Sequence, residues 1–186
     1  MNRKEAIQRA ALLMGGAIVA PSVLININGC QSSQQLDWSP TFFTHGQALL
    51  VSVIAEIIIP SDGTPGAKDA RVPEYIEDMV SQVFSESQRT RFMNGLKYYD
   101  ESARVANGKI FVQCNPQQQF DLVQQFNTEA LQNNSGSSFL LMKQLTLRGF
   151  CTSEIGATQV LQYLQVPGKY EGCVPLEDVG NAWAFS

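Results

Sequence analysis

The side chains that most often carry enzyme chemistry are few in this sequence. His45 is the single histidine, so a Ser-His-Asp triad would have to use it, and no G-x-S-x-G motif accompanies it. The G-x-G-x-x-G and P-loop motifs that bind dinucleotides and phosphates are also missing. A single histidine near the start of a helix is ordinarily a capping or surface residue. An enzyme active in its own right is therefore the least favoured function.

Six carboxylates form the acidic cluster of the chain. They are Glu56, Asp62, Asp69, Glu74, Glu77 and Asp78. Glu74 and Glu77 fall in the first turns of a predicted helix, where the helix dipole favours anions, and Asp62 precedes a glycine in a turn. A cation site that uses Asp62 and Asp69 is a minor alternative, since their spacing does not match an EF-hand loop. The sequence thus predicts no catalytic, cofactor-binding or metal-binding residue.

Residues 1–29 have the pattern of an export signal, with a basic start followed by an apolar run. Arg3 and Lys4 resemble a twin-arginine signal with lysine in the second place. The tetrapeptide I-N-G-C that ends at Cys30 resembles a lipobox, which would make Cys30 the acylated first residue of the mature protein. A plain secretory signal cut elsewhere and a short anchor helix are the alternatives. We expect an exported protein, periplasmic or held at the membrane by a lipid anchor, with residues 30–43 as a polar tether.

Export affects how the other cysteines are interpreted, because disulfides form in oxidising compartments. Cys114 and Cys173 both lie in predicted loops, and we expect a disulfide between them, with no disulfide as the main alternative. Cys151 ends an apolar helical stretch, where a buried thiol behaves as a small hydrophobe. No C-x-x-C pair occurs, which argues against structural zinc, a thioredoxin-like site and an iron–sulfur cluster. The absence of C-x-x-C-H argues against covalent haem c in this chain.

Length and charge limit the classes of partner. The chain has 186 residues, of which 44% are hydrophobic, and we expect residues 44–186 to form one helical domain. Of its 13 basic and 17 acidic residues, three and one lie in residues 1–29, which leaves ten against sixteen and a net charge of −6. Nucleic acid and anionic lipid are polyanions, so both are disfavoured as partners.

The candidate residues must be positioned by a helical chain, whose central part is residues 45–80. The first helix is apolar nearly all round, with Ser52 and Glu56 on a narrow polar edge, and it should end at Pro60. A loop rich in glycine and proline follows, and a second helix begins near Pro73. Because a helix that is apolar on all sides is normally buried, we expect the first helix at the centre of the core.

Helix signals continue towards the C-terminus. Ser85 or Ser87 can cap a helix that ends at Gly108. Residues 109–112 are expected to form a short extended link. Asn115 then caps another helix, with a proline at its first position.

The remaining segments complete the predicted fold. The helix after Asn115 has Phe120, Val123 and Phe126 on the face expected to be buried. A strongly apolar helix over residues 139–153 follows, and Ser153 opens a further helix. The predicted fold class is all-α: a compact single-domain bundle of about five to six helices with an irregular C-terminal coil.

A resemblance to the gluconate 2-dehydrogenase subunit 3 family rests on three segments. These are the export signal, the stretch LVSVIAEIIIPSDGTPGAKDARVPEYIEDMV and the stretch TSEIGATQVLQYLQVPGKYEGC. The resemblance implies a non-catalytic small subunit of an exported, membrane-associated sugar or polyol dehydrogenase. Its partner would be a large FAD-containing subunit of the glucose–methanol–choline type, with a haem c cytochrome in some complexes. The small subunit would assist the folding, export and stability of the flavin subunit. The Arg-Lys pair and the lipobox-like cysteine depart from the family pattern.

The partner interface is expected in the loop of residues 60–73 and in the C-terminal coil, because shaped loops and exposed aromatic side chains often anchor interfaces. The candidate interface residues are Asp62, Pro65, Asp69, Tyr170, Trp183 and Phe185. The competing interpretation is that each of them packs on the core of its own chain. The alternative function is a free-standing lipoprotein that binds a sugar or another small ligand in a pocket lined by aromatic and amide side chains.

Overall fold

The computed structural model describes residues 36–132 and 137–166, and in the C-terminal part residues 168, 173, 175, 177 and 180–184. Five α-helices lie in these ranges: α1 His45–Ile58, α2 Val72–Asp78, α3 Glu86–Asn107, α4 Pro116–Gln132 and α5 Ser138–Thr152. Two π-helical turns, Met79–Val83 and Gly156–Val160, and a 3-10 turn, Phe111–Gln113, complete the helical elements described. No strand occurs among the described residues, so the predicted all-α helical domain is confirmed.

Helix α1 lies at the centre of the core, as its apolar sequence predicts, and contacts the other four α-helices. Thr44 caps its N-terminus in a reciprocal pair of hydrogen bonds with Gln47. Ser52, expected on a polar edge, is buried with 6% of its surface exposed. The buried residues cover nearly the whole circumference: Ala48, Leu50, Val51, Ser52, Val53, Ile54 and Ala55.

Helix α2 packs against α1 and α5. Arg71 precedes it in the left-handed conformation, with φ of 55°, and Pro73 occupies the first turn. Gly149 of α5 faces Tyr75 so closely that a Cβ atom there would lie 2.6 Å from the tyrosine ring. Glycine at this position therefore lets the two helices approach.

Helices α3 and α4 begin and end where local sequence signals place them. Ser85, and not Ser87, caps α3, and Gly108 ends it in the left-handed conformation, with φ of 70°. Asn115 caps α4 in a reciprocal pair with Gln118, at 3.0 and 2.9 Å. The buried face of α3 consists of Phe92, Gly95, Leu96, Tyr99 and Ala103.

Two expectations around the start of α4 are wrong. The link after α3 is not extended but contains a 3-10 turn, which buries Phe111 completely. The Nε2 of Gln119 donates a hydrogen bond of 3.1 Å to the Phe111 carbonyl, and Gln119 is buried. Phe120, expected inside, is 46% exposed. Val123 and Phe126 are buried as predicted.

The chain after α5 is less helical than expected. The segment opened by Ser153 continues only to Val160, mostly as a π turn. The N–H of Gln162 then donates to the Ala182 carbonyl, and the N–H of Ala184 donates to the Gln162 carbonyl, both at 2.8 Å. None of the helices in the described ranges combines the length and the apolar character needed to cross a membrane.

Candidate functional site

The loop between α1 and α2 is folded around two carboxylates, Glu56 and Asp69. One oxygen of Glu56 accepts a hydrogen bond from the N–H of Ser61 at 3.1 Å, and the other accepts from the N–H of Lys68 at 3.0 Å. Asp69 accepts from the N–H of Gly66 at 2.9 Å. The Ser61 hydroxyl lies 2.8 Å from Glu56 and 2.9 Å from Asp69, and its single proton is shared between the two carboxylates. The loop therefore has a fixed shape, because the carboxylates join its two ends.

The same hydrogen bonds lower the pKa of Asp69 and engage its carboxylate within the loop. The Gly66 N–H, and after it the Ser61 hydroxyl, hold the pKa of Asp69 below its usual value. Asp62 is exposed and Pro65 is half-buried. Asp69 is engaged within the loop, and the described residues contain no group of three His, Cys, Asp or Glu side chains that could hold a metal ion.

Glu77 is a buried carboxylate, and it lies near the end of α2 and not in its first turns as predicted. Only 4% of its surface is exposed. Its Oε1 atom accepts three backbone hydrogen bonds, from Thr41 at 3.0 Å, Phe42 at 2.6 Å and Phe43 at 2.7 Å. Three charge-assisted donors offset the cost of burying the carboxylate. Glu77 therefore attaches the segment before α1 to helix α2.

Arg89 reinforces this attachment. Its Nε donates to the Val80 carbonyl at 3.0 Å, and its Nη2 donates to the Ser81 carbonyl at 2.8 Å. The guanidinium carbon lies 5.7 Å from the centre of the Phe42 ring, within the range of a cation–π contact. One side chain thus connects the first π turn, the start of α3 and the N-terminal segment.

Residues 36–43 belong to the same compact unit as the helices. Leu36 and Trp38 are partly buried against the core, and Phe43 is 4% exposed. The sequence suggests a polar tether over residues 30–43 because serine and glutamine outnumber its apolar side chains, Leu36, Trp38, Phe42 and Phe43. Cys30 and the predicted signal lie outside the described residues.

Exposed apolar side chains gather where the C-terminal segment meets the residues after the second π turn. The backbone bridge between Gln162 and Trp183 brings these two stretches together. We call this surface the C-terminal face. It consists of Tyr163, Leu164, Val166 and Trp183, which are 52%, 49%, 75% and 55% exposed. Trp183 is thus on the surface, and Tyr170 and Phe185 lie outside the described residues.

The three cysteines that the structure describes, Cys114, Cys151 and Cys173, are present as thiols. The disulfide between Cys114 and Cys173 stays a prediction. Cys114 is enclosed at the end of the 3-10 turn, where its Sγ donates to the Ile110 carbonyl at 3.6 Å. Burial raises the pKa of the Cys114 thiol, whereas Cys173 is exposed.

An open groove of about 480 Å³ lies beside α3 and includes Thr90, Asn94 and Tyr98 in its lining. The Tyr98 hydroxyl donates to Glu129 at 2.7 Å, and this hydrogen bond raises the pKa of Tyr98. The groove suits a small polar molecule better than an apolar cofactor. His45 is exposed in the first turn of α1, where it acts as a surface residue.

The local sequence gives only a weak signal for the burial of Glu77. Val72, Ile76 and Val80 form a buried stripe at helical spacing, and Glu77 follows Ile76 directly. The next acid, Asp78, lies equally near this stripe in the sequence and is exposed. The donors themselves lie more than 30 residues away in the chain, which the sequence did not reveal.

Comparison with known proteins identifies the family. The model of gluconate 2-dehydrogenase subunit 3 matches residues 45–168, about two thirds of the chain. The match includes all five α-helices, the loop around Glu56 and Asp69, and Glu77. Neither the curated proteins nor the solved structures give a match. The chain belongs to the gluconate 2-dehydrogenase subunit 3 family.

Proposed function

We propose that this chain is the non-catalytic small subunit of an exported, membrane-associated FAD-dependent dehydrogenase that oxidises a sugar or polyol. The family match over residues 45–168 is the observation that carries the proposal, because subunit 3 of a dehydrogenase implies a dehydrogenase partner. The partner would be a large subunit of the glucose–methanol–choline type, and a haem c cytochrome would accept its electrons. The small subunit would assist folding, export and stability of the flavin subunit.

The roles of the buried and loop carboxylates support an accessory role. Glu56, Asp69 and Glu77 each accept backbone N–H groups, so each has a structural function. A loop and an N-terminal segment that are held in this way are already ordered before a partner binds. Preorganisation reduces the conformational entropy lost on association.

The C-terminal face is the surface we assign to the large subunit. Its four apolar side chains are each about half exposed or more, and clustered exposed apolar residues mark interaction surfaces. Tryptophan and tyrosine are the side chains that most often dominate binding energy at interfaces. Of the residues predicted for the interface, Trp183 and the exposed Asp62 remain candidates, while Asp69 is engaged within its own loop.

The first experiment is a tagged pull-down of the full-length chain from its native membranes, with the absorbance of oxidised flavin as the readout. A co-purifying flavoprotein of the large-subunit type is the expected result. A monomeric chain without flavin would contradict the proposal. It would favour the alternative of a free-standing lipoprotein, for which the groove beside α3 offers the site to test with sugars.

A double variant locates the interface within that complex. Tyr163→Ala with Trp183→Ala should reduce the flavoprotein recovered at least tenfold, since loss of two interface aromatics costs about 2 kcal/mol or more. Val105→Ala with Leu131→Ala is the matched control, because both residues are exposed apolar side chains, 81% and 61%, on α3 and α4. Equal recovery with both double variants would refute the assignment of the C-terminal face.

A further inference from the structure

We propose that the domain lies on the membrane through one defined face, which contains Phe42, Val83 and Arg89. We call it the Phe42 face. The inference rests on the proposed lipidation of Cys30 and adds the orientation of the folded unit relative to the lipid surface. The Phe42 face contacts the headgroup region of the same bilayer in which the Cys30 acyl chains are anchored.

The short chain between the lipid anchor and the domain limits how far the domain can lie from the bilayer. The compact unit includes Leu36, six residues after Cys30. Whatever their conformation, six residues span at most about 21 Å. A domain of this size has a radius of gyration of about 15 Å, so this length is shorter than its diameter. The surface near the start of the fold must therefore stay close to the bilayer.

The side chains close to the lipid anchor in the sequence include exposed apolar groups. Phe42 is 39% exposed although three backbone hydrogen bonds to Glu77 fix its segment. Val83 ends the first π turn and is 64% exposed. Arg89 contacts both elements, through the Phe42 ring and through the carbonyls of the π turn. Arg89 and Phe43 contact the Phe42 ring, and the exposed parts of Phe42 and Val83 form the apolar surface that remains.

The chemistry of this face fits a lipid interface. Aromatic rings favour the boundary between headgroups and acyl chains. The Arg89 guanidinium donates to the carbonyls of Val80 and Ser81, and its remaining N–H groups can face phosphate. Asp78 and Glu86, both exposed, flank the π turn, so the face has no excess of positive charge. The fit is therefore to zwitterionic lipid, and two exposed apolar side chains are too few for lasting binding without the anchor.

Two valine positions provide a matched test. Val83 lies just before α3, and Val105, 81% exposed, lies near its far end. The helix has 22 residues, so the two positions are about 30 Å apart. In a chain with Trp38→Phe and Trp183→Phe, which removes both native tryptophans, Val83→Trp or Val105→Trp supplies a single reporter.

The experiment uses the full mature chain, purified from membranes and reconstituted into phosphatidylcholine vesicles with brominated acyl chains, which quench tryptophan on contact. We expect the Val83→Trp variant to lose a large part of its emission and the Val105→Trp variant to keep its emission. Equal quenching, or stronger quenching of Val105→Trp, would overturn the orientation. Mass spectrometry of the same samples reports the acyl group: an unmodified Cys30 would overturn the lipidation on which the inference rests, whereas an acylated Cys30 with equal quenching would overturn the orientation alone.

Discussion

Replacing Glu77 by alanine tests the structural role of a buried carboxylate at a position outside the C-terminal face. The change leaves the N–H groups of Thr41, Phe42 and Phe43 without the acceptor that they share. A hydrogen bond to a charged group contributes about 1.5–3 kcal/mol. The freed segment can turn its donors to water, so the loss is smaller than the sum of three bonds. We expect the free energy of unfolding to fall by about 3 kcal/mol, in line with the loss of one partner from a buried charged pair.

That magnitude is large compared with the stability of a domain, which is about 5–15 kcal/mol. For a domain of this size it corresponds to a fall in Tm of about 6–12 °C. Urea unfolding followed by circular dichroism measures the free energy. The emission of Trp38, half-buried next to the segment that Glu77 holds, reports whether this segment is released first. Glu77→Gln keeps one acceptor oxygen without the charge and should lose about half as much.

Glu74→Ala is the matched control on the same helix. Glu74 forms an ion pair with Arg71, whose side chain is 75% exposed, and exposed pairs contribute less than about 1 kcal/mol. If Glu77→Ala costs no more than Glu74→Ala, the three hydrogen bonds do not stabilise the fold and the reasoning is refuted.

Three further predictions concern the loop and the thiols. Gly66→Ala should cost about 1–3 kcal/mol in urea unfolding, because the added Cβ would lie 2.7 Å from the Ser61 nitrogen; an unchanged midpoint would contradict the described loop. The pKa of Asp69 lies below its ordinary value of 3.8, so its stabilisation is full above that value and is lost as the pH falls through the lowered pKa. Asp69→Asn should therefore reduce stability at about pH 7, by an amount that shrinks as the pH falls through the lowered pKa, and a loss that does not change with pH would count against it. Cys173 should react with a thiol reagent in the native protein, while Cys114, buried and with a raised pKa, should react only after denaturation; rapid labelling of Cys114 would show that its site is open.

Local signals accounted for most of the helix boundaries. Ser85, Gly108 and Asn115 act as caps where the sequence places them, because capping depends on residues within one turn. The central position of α1 also followed from its composition. These parts of the fold are encoded by neighbours in the chain and can be read without knowledge of the tertiary structure.

The errors share a physical cause, which is contact between distant residues. Phe120 is outside because the buried face of α4 includes its neighbour Gln119, whose amide donates to the distant carbonyl of Phe111. The segment before α1 is folded because Glu77, 34 to 36 residues further along, supplies its acceptor. Periodicity alone contains no information about such partners. The position of Trp183 likewise depends on its bridge to Gln162.

The attachment at Glu77 also determines how the domain responds to mechanical load. Tension that enters through the residues before Leu36 reaches the Glu77 hydrogen bonds before it reaches the cap of α1 at Thr44. The three donors follow one another in the chain, so tension loads the Thr41 bond first and the Phe43 bond last. Release of these bonds, together with the core contacts of Leu36, Trp38 and Phe43, would free residues 36–43, about 28 Å of extended chain, while α1 stays packed. Residues 36–43 can therefore extend under tension before α1 is displaced from the hydrophobic core.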